Sequence, residues 1–281
     1  MFWLLFAIIS LVSSGFAGIV HRYVLKEYDW LSYAFITGIL TSLLFLPPAL
    51  SNFIIPADNF SYIFLLDGIL LWTLISAVTT KSFQYIEVSE RAPLKQSQII
   101  FLLILSYTLL RESLTFNKIF GSLLIFLGVV LISYKEGQTF GKLGETGTQL
   151  TLLTAALTAT VSIVDKIALK YWNTGVYSFF TYLFPSLILG TLVIKRGNQI
   201  KKLLKFRLLP VIASVVLQAT YYYPRLLAFS LTDVSNVFPI LRLSVLVGVI
   251  GGIIFLKEKE NISQKVLSAI IMIAGAWLVA K

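Results

Sequence analysis

The 281-residue sequence contains no cysteine, so it offers no disulfide framework, thiol nucleophile or thiolate metal site. It has one histidine and no H-E-x-x-H pattern, which argues against a metalloenzyme; no metal or other cofactor is expected. A G-x-x-x-x-G-K-[ST] loop is missing, so the chain is not itself an ATPase. No paired carboxylates or nucleophile–base pairs stand out, which leaves an enzyme as the least supported class. Charge is scarce as well. Only 13% of residues are charged, against about 25% in ordinary soluble domains, too little polar cover for a water-soluble fold.

Apolar residues are what the chain has in plenty, at 57%. A transmembrane helix needs about 20 largely apolar residues. Such runs fall at 2–25, 30–53, 61–83, 89–110, 117–134, 149–169, 174–194, 206–229, 233–256 and 263–280. The first has no basic flank and no clear small-residue cleavage site, and reads as a retained helix. Glycine and threonine mark 136–148 as a linker, and "KRGNQIKKLLKFR" at 195–207 reads as a strongly basic loop. The net charge of +10 lies in such short connectors, so the expected partners are membrane lipids and a small-molecule substrate, with no nucleic acid. A monomer and a homodimer both remain open.

The chain repeats itself. A shift of 146 residues lays Phe83 on Phe229, Glu87 on Asp233, Ser89 on Ser235, Pro93 on Pro239 and Glu112 on Glu258. A shift of 144 lays "IVHRYVLK" (19–26) on "IVDKIALK" (163–170), and Tyr33 and Phe35 on Tyr177 and Phe179. Each copy holds five runs. Five is odd, so the second copy enters the membrane from the opposite side. The expectation is an all-α membrane protein of ten transmembrane helices in two inverted five-helix repeats: residues 1–135, a linker at 136–148, and residues 149–281.

"YIEVSERAPLKQSQIIFLLILSYTLLRESLTFNKIFGSLLIFLGVVLISY" resembles the end of an EamA-type repeat, and "FSLTDVSNVFPILRLSVLVGVIGGIIFLKEKENISQKVLSAIIMIAGAWLVA" resembles it again. On these segments the chain is similar to the drug/metabolite transporter superfamily over nearly its whole length. The resemblance implies helices one to four of each half around a central cavity, helices five and ten outside it, and cytoplasmic termini at a plasma (inner) membrane. Cytoplasmic termini would put 195–207 and "LKEKE" outside, against the positive-inside rule. "YIEVSERAPLKQSQI" is also similar to the helix-four pattern of triose-phosphate and nucleotide-sugar transporters, which carry a lysine where Lys95 stands; their proline follows that lysine, whereas Pro93 precedes it.

Polar residues inside spans are functional candidates because lipid makes them expensive. Spacings of three and seven place Lys95, Gln98 and Leu102 on one face of helix four, and a like spacing serves Ser235, Pro239 and Arg242 in helix nine. Lys95 and Arg242 stand at nearly equal depth in the two copies and favour an anionic or carboxylate-bearing substrate. In "QATYYYPRLLAF", Gln218, Tyr222 and Arg225 share a face, with Pro224 expected to kink the helix. Ser14 and Thr158 match mid-span and are expected to line the cavity. His21 and Asp165 are possible proton-coupling residues, or solvated residues at span ends. No glutamate sits mid-span in helix one or six, which excludes the cation mechanism of small multidrug relatives. Gly121 and Gly128 read as packing positions.

These residues favour a secondary transporter working by alternating access. The alternatives are an exporter of amino acids or other zwitterions, and a non-transporting scaffold or lipid-binding subunit.

Overall fold

In hydrocarbon an apolar run must satisfy every N–H and C=O within itself, and only a helix does so with one strand of chain. The computed structural model describes residues 2–25, 27–82, 85, 94–133, 145–247, 250 and 262–281, and ten α-helices lie among them. They are α1 (Phe2–Leu25), α2 (Trp30–Leu50), α3 (Phe60–Ser82), α4 (Gln98–Leu110), α5 (Phe116–Ser133), α6 (Thr146–Ala168), α7 (Thr174–Val193), α8 (Gly197–Leu231), α9 (Val234–Leu241) and α10 (Ile262–Ala280). Among the described residues seven are long and apolar enough to cross a membrane unaided; the shorter apolar helices are α4, α5 and α9.

The two copies start their second helix with the same chemistry. Asp29 accepts the Ser32 N–H at 3.0 Å ahead of α2, and Asn173, in the equivalent place ahead of α7, accepts the Gly175 N–H at 2.8 Å. Packing obeys the same exchange. α1 lies chiefly on α8 and α3 on α6, which are equivalent pairs; α4 on α6 matches α9 on α1. α2 meets α7, and α5 meets α10, each a helix against its own counterpart. The chain is thus two inverted five-helix repeats folded into one another, with the main contacts running between copies.

Glycine permits one of these crossings outright. A Cβ on Gly121 would stand 2.6 Å from the Gly275 carbonyl oxygen, and one on Gly275 would stand 2.5 Å from that of Gly121. Backbone cannot yield as a side chain can, so α5 and α10 touch only because both positions are bare.

Two stretches differ from the sequence reading. The basic stretch expected as a loop is a 3₁₀ turn (Ile194–Arg196) followed by the first turns of α8. Ile200 and Leu203 recur at helical spacing and turn inward, and Leu203 is buried, so an apolar edge holds the segment while Lys201, Lys202 and Lys205 stay outside. The bend in α8 falls at Arg207 (φ −134°, ψ 30°) and not before Pro224. Asp67, left without a role by its sequence, is exposed on the outer side of α3 between Leu66 and Leu70.

Helices four and nine, expected as continuous spans, are broken at equivalent places. Leu94 and Lys95 are helical, Gln96 and Ser97 form a turn, and α4 follows; α9 ends at Leu241, Arg242 and Leu243 form a turn, and helix resumes at Ser244. The hydrogen bonds tighten to i→i+3 at both. Ser97 N–H donates to Leu94 at 3.2 Å and Ile99 to Gln96 at 3.0 Å; Leu243 donates to Ile240 at 3.0 Å and Val245 to Arg242 at 3.2 Å. Pro239, three residues before the turn, lacks an N–H and so leaves the Ser235 carbonyl without its helical partner. Its counterpart Pro93 lies outside the described residues, as do Ser89 and Glu258.

Candidate functional site: two broken helices and a buried ion pair

Arg242 lies on the turn of the ninth helix. Its guanidinium carbon stands 4.4 Å from the centre of the Phe238 ring, and its Nε is buried without a hydrogen-bond partner among the described residues. Among the described residues no carboxylate pairs with it. At the equivalent break, Gln98 is the first residue of α4 and fully buried, and neither its Oε1 nor its Nε2 has a hydrogen-bond partner among the described residues. Lys95 is half-buried, three residues before Gln98 and across the turn from it.

Arg225 has what Arg242 lacks. Its Nη2 donates to Asp165 Oδ2, with both side chains at most 1% exposed. Tyr177 donates to the other carboxylate oxygen of Asp165 at 2.8 Å, and Arg225 Nη1 donates to the Tyr221 hydroxyl at 3.2 Å. The guanidinium lies 5.3 Å from the ring centres of Trp72 and Tyr222 and 5.1 Å from that of Phe229. Taking a charge into such surroundings is tolerable only when it is paired and hydrogen-bonded, and this pair is both. Asp165 is therefore buried, not solvated at a span end.

Tyr222 points into the same cluster, where its hydroxyl lies 3.1 Å from Thr181 Oγ1 and its ring packs edge-on against Tyr182. Gln218, on the same helix as Tyr222 and Arg225, lies 3.4 Å from His21, whose ring meets Tyr33 edge-on with centres 5.1 Å apart. Tyr33 donates to Ser214. His21 and Tyr33 are the repeat counterparts of Asp165 and Tyr177, and Gln218 is the counterpart of Trp72. The two copies thus keep one scaffold and fill it with different chemistry: an ion pair in one, a neutral contact in the other. Ser14 and Thr158 are half-buried, and each hydroxyl bonds back to its own helix, to Leu11 and Thr154.

Sequence reasoning missed Trp72, Tyr221 and Tyr182 as members of the cluster. It also missed the partnership of Asp165 and Arg225, sixty positions apart, although each was an unexplained charge inside an apolar run.

A second polar group joins the copies at the opposite end of α9 from its break. Glu112 accepts the Val234 N–H at 2.8 Å and the Ser235 N–H at 3.0 Å, capping α9 across the repeat boundary. Lys118 reaches Asp233 at 2.7 Å, and Lys166 donates to the carbonyls of Phe229 at 2.5 Å and Thr232 at 2.9 Å.

Apolar helices long enough to cross a membrane, arranged in two inverted halves, define an integral membrane protein of the inverted-repeat class. The chain belongs to the EamA-like transporter family, whose model matches residues 1–134 and again residues 146–281. A protein solved by crystallography is similar in fold, with a TM-score of 0.81 at 12% identity over 98% of this chain and 94% of its own. No curated protein matches the sequence.

Proposed function

We propose that this protein is a secondary transporter that moves a small anionic or carboxylate-bearing metabolite by alternating access, with the substrate's negative group held between the broken helices four and nine. Arg242 carries the reading: among the described residues it is a guanidinium with no paired carboxylate, beside a second arginine whose charge is already spent on Asp165. An uncompensated cation at that depth is costly, and an anionic ligand would offset the cost with charge-assisted hydrogen bonds. The idle amide of Gln98 at the equivalent break supports a bound polar group, and helices four and nine touch, as a shared site requires. Lys95 would add a second cation from the first copy. We place the protein in the plasma (inner) membrane.

A zwitterionic substrate is the second reading, favoured by the rings of Trp72, Tyr182 and Tyr222 packed near Asp165. It requires Asp165 to exchange Arg225 for the substrate's ammonium.

The test is flux into proteoliposomes, together with ligand-induced thermal stabilisation, across phosphorylated metabolites, carboxylates and amino acids. Arg242→Gln removes one charge-assisted bond of about 1.5–3 kcal/mol, so affinity for an anion should fall roughly tenfold to a hundredfold with the fold intact. Normal transport by both Arg242→Gln and Lys95→Gln would sink the anion reading. Protein-dependent flux of no compound would favour a scaffold.

A further inference from the structure

The basic segment 195–207 is the one feature of the sequence that neither the fold nor the proposed site uses. As helix it sorts its residues into distinct faces. Ile200 and Leu203 turn to the bundle; Lys201, Lys202 and Lys205 occupy the opposite side, all exposed; Leu204 and Phe206 lie at the two borders between, exposed at 37% and 58%. Lys205 Nζ sits 5.4 Å above the centre of the Phe206 ring. Two ion pairs tie the ends of the segment to the α1–α2 connector, Arg196 to Asp29 at 2.5 Å and Arg207 to Glu27 at 2.7 Å. Among the described residues no carboxylate pairs with the three lysines between them.

A short helix anchored on one side, with lysines on the other and apolar residues along both borders, has the build of an interfacial helix. Its apolar borders enter the boundary of the acyl chains while its lysines meet headgroups. Anionic headgroups are what the lysines fit, and anionic lipid is concentrated in the cytoplasmic leaflet. The chain order makes this a statement about the whole protein. The connectors after α1, α3, α5 and α7 leave from this same face, and their sequences hold Lys26, Arg91, Lys135 and Lys142. On the other face Lys118 is spent on Asp233 and Lys166 on two carbonyls, which leaves Arg111, Lys170 and Lys281.

We infer that residues 197–206 dock on anionic phospholipid of the cytoplasmic leaflet, and that the chain therefore lies with the start of α1 and the end of α10 on the far side of the membrane. This orientation is the reverse of the one the family resemblance implies, and it stands whether or not the substrate is an anion.

The full chain has no cysteine, so single cysteines report without background. In intact cells a membrane-impermeant thiol reagent should label Lys281→Cys and should reach Asn198→Cys only after lysis. The opposite pattern, or equal labelling of both, overturns the orientation. In nanodiscs, a polarity-sensitive dye on Asn198→Cys should shift as phosphatidylglycerol replaces phosphatidylcholine, and the shift should shrink in high salt. With Lys201→Gln, Lys202→Gln and Lys205→Gln together, several-fold more anionic lipid should be needed, at an unchanged unfolding temperature because the replaced side chains are exposed. A dye indifferent to lipid charge, or a triple variant that responds like the parent, overturns the docking.

Discussion

Two arginines one helix apart separate the roles that a buried charge can have. Arg225 is held by Asp165, Tyr221 and three aromatic rings, so removing either partner strands the other in a dry site. Asp165→Asn should lower stability by about 3–5 kcal/mol, read as thermal unfolding in detergent, and Arg225→Met added to Asp165→Leu should recover most of that loss. Arg242 has no such partner among the described residues, and Arg242→Gln, which removes a costly charge, should keep or raise the unfolding temperature while weakening anion binding. Equal destabilisation by Arg225→Gln and Arg242→Gln would mean that Arg242 is structural. The sequence marked all three residues as candidates, because charge in an apolar run stands out in one dimension. It did not reveal that Asp165 consumes Arg225, because that depends on which helices cross, and spacing along a helix face says nothing of the facing helix.

Among the elements, helix limits set by composition were legible: the apolar runs of α1, α2, α3, α5, α6, α7 and α10 end within a few residues of the observed helices. The breaks were not, since the turns at Gln96–Ser97 and Arg242–Leu243 lie inside runs that stay apolar on both sides. The prolines at 93 and 239 were the available signal, and the repeat alignment already paired them. Charge misled in the other direction at 195–207, where lysines hid the inward spacing of Ile200 and Leu203. The capping of α9 yields a graded prediction. Glu112 is buried and takes two backbone N–H groups, so Glu112→Gln should cost about 1.5–3 kcal/mol. Lys118→Ala should cost about 1 kcal/mol or less, because the Asp233 side chain it reaches is 40% exposed. Hydrogen exchange at the Val234 and Ser235 amides should quicken in the first variant and barely change in the second; the reverse order would mean that the ion pair, not the cap, holds α9.

At the scale of the molecule, the exchange of copies supplies its own test of alternating access. In an inverted repeat the second state is reached when each copy takes up the other's conformation, so contacts that close one face must part as those on the other form. The edge joined by Glu27 with Arg207 and Asp29 with Arg196 links α1 and α2 of the first copy to α8 of the second. A bifunctional thiol reagent across Glu27→Cys and Arg207→Cys should stop flux, and a reducible reagent should let it resume on reduction. Undiminished flux in the locked protein would show that this edge stays closed throughout the cycle. The repeat itself was legible from the sequence because prolines, acidic residues and tyrosines recur in order; the interlocking of the copies was not, because a shift between sequences carries no record of which copy a helix leans on.

That interlocking bears on how the protein is made. α1 leans on α8, α2 on α7, α3 and α4 on α6, and α5 on α10, so the first five helices are synthesised before any of their main partners exists. At a ribosomal pace of about 5–20 residues per second, the gap between the end of α1 and the end of α8 amounts to roughly 10–40 seconds. During that interval Glu112 stands beside membrane with the α9 amides it will cap not yet made, exposed to whatever quality-control proteases patrol the bilayer. A chain truncated after residue 133 should remain in that condition permanently and be cleared, and supplying residues 145–281 as a separate polypeptide should rescue it.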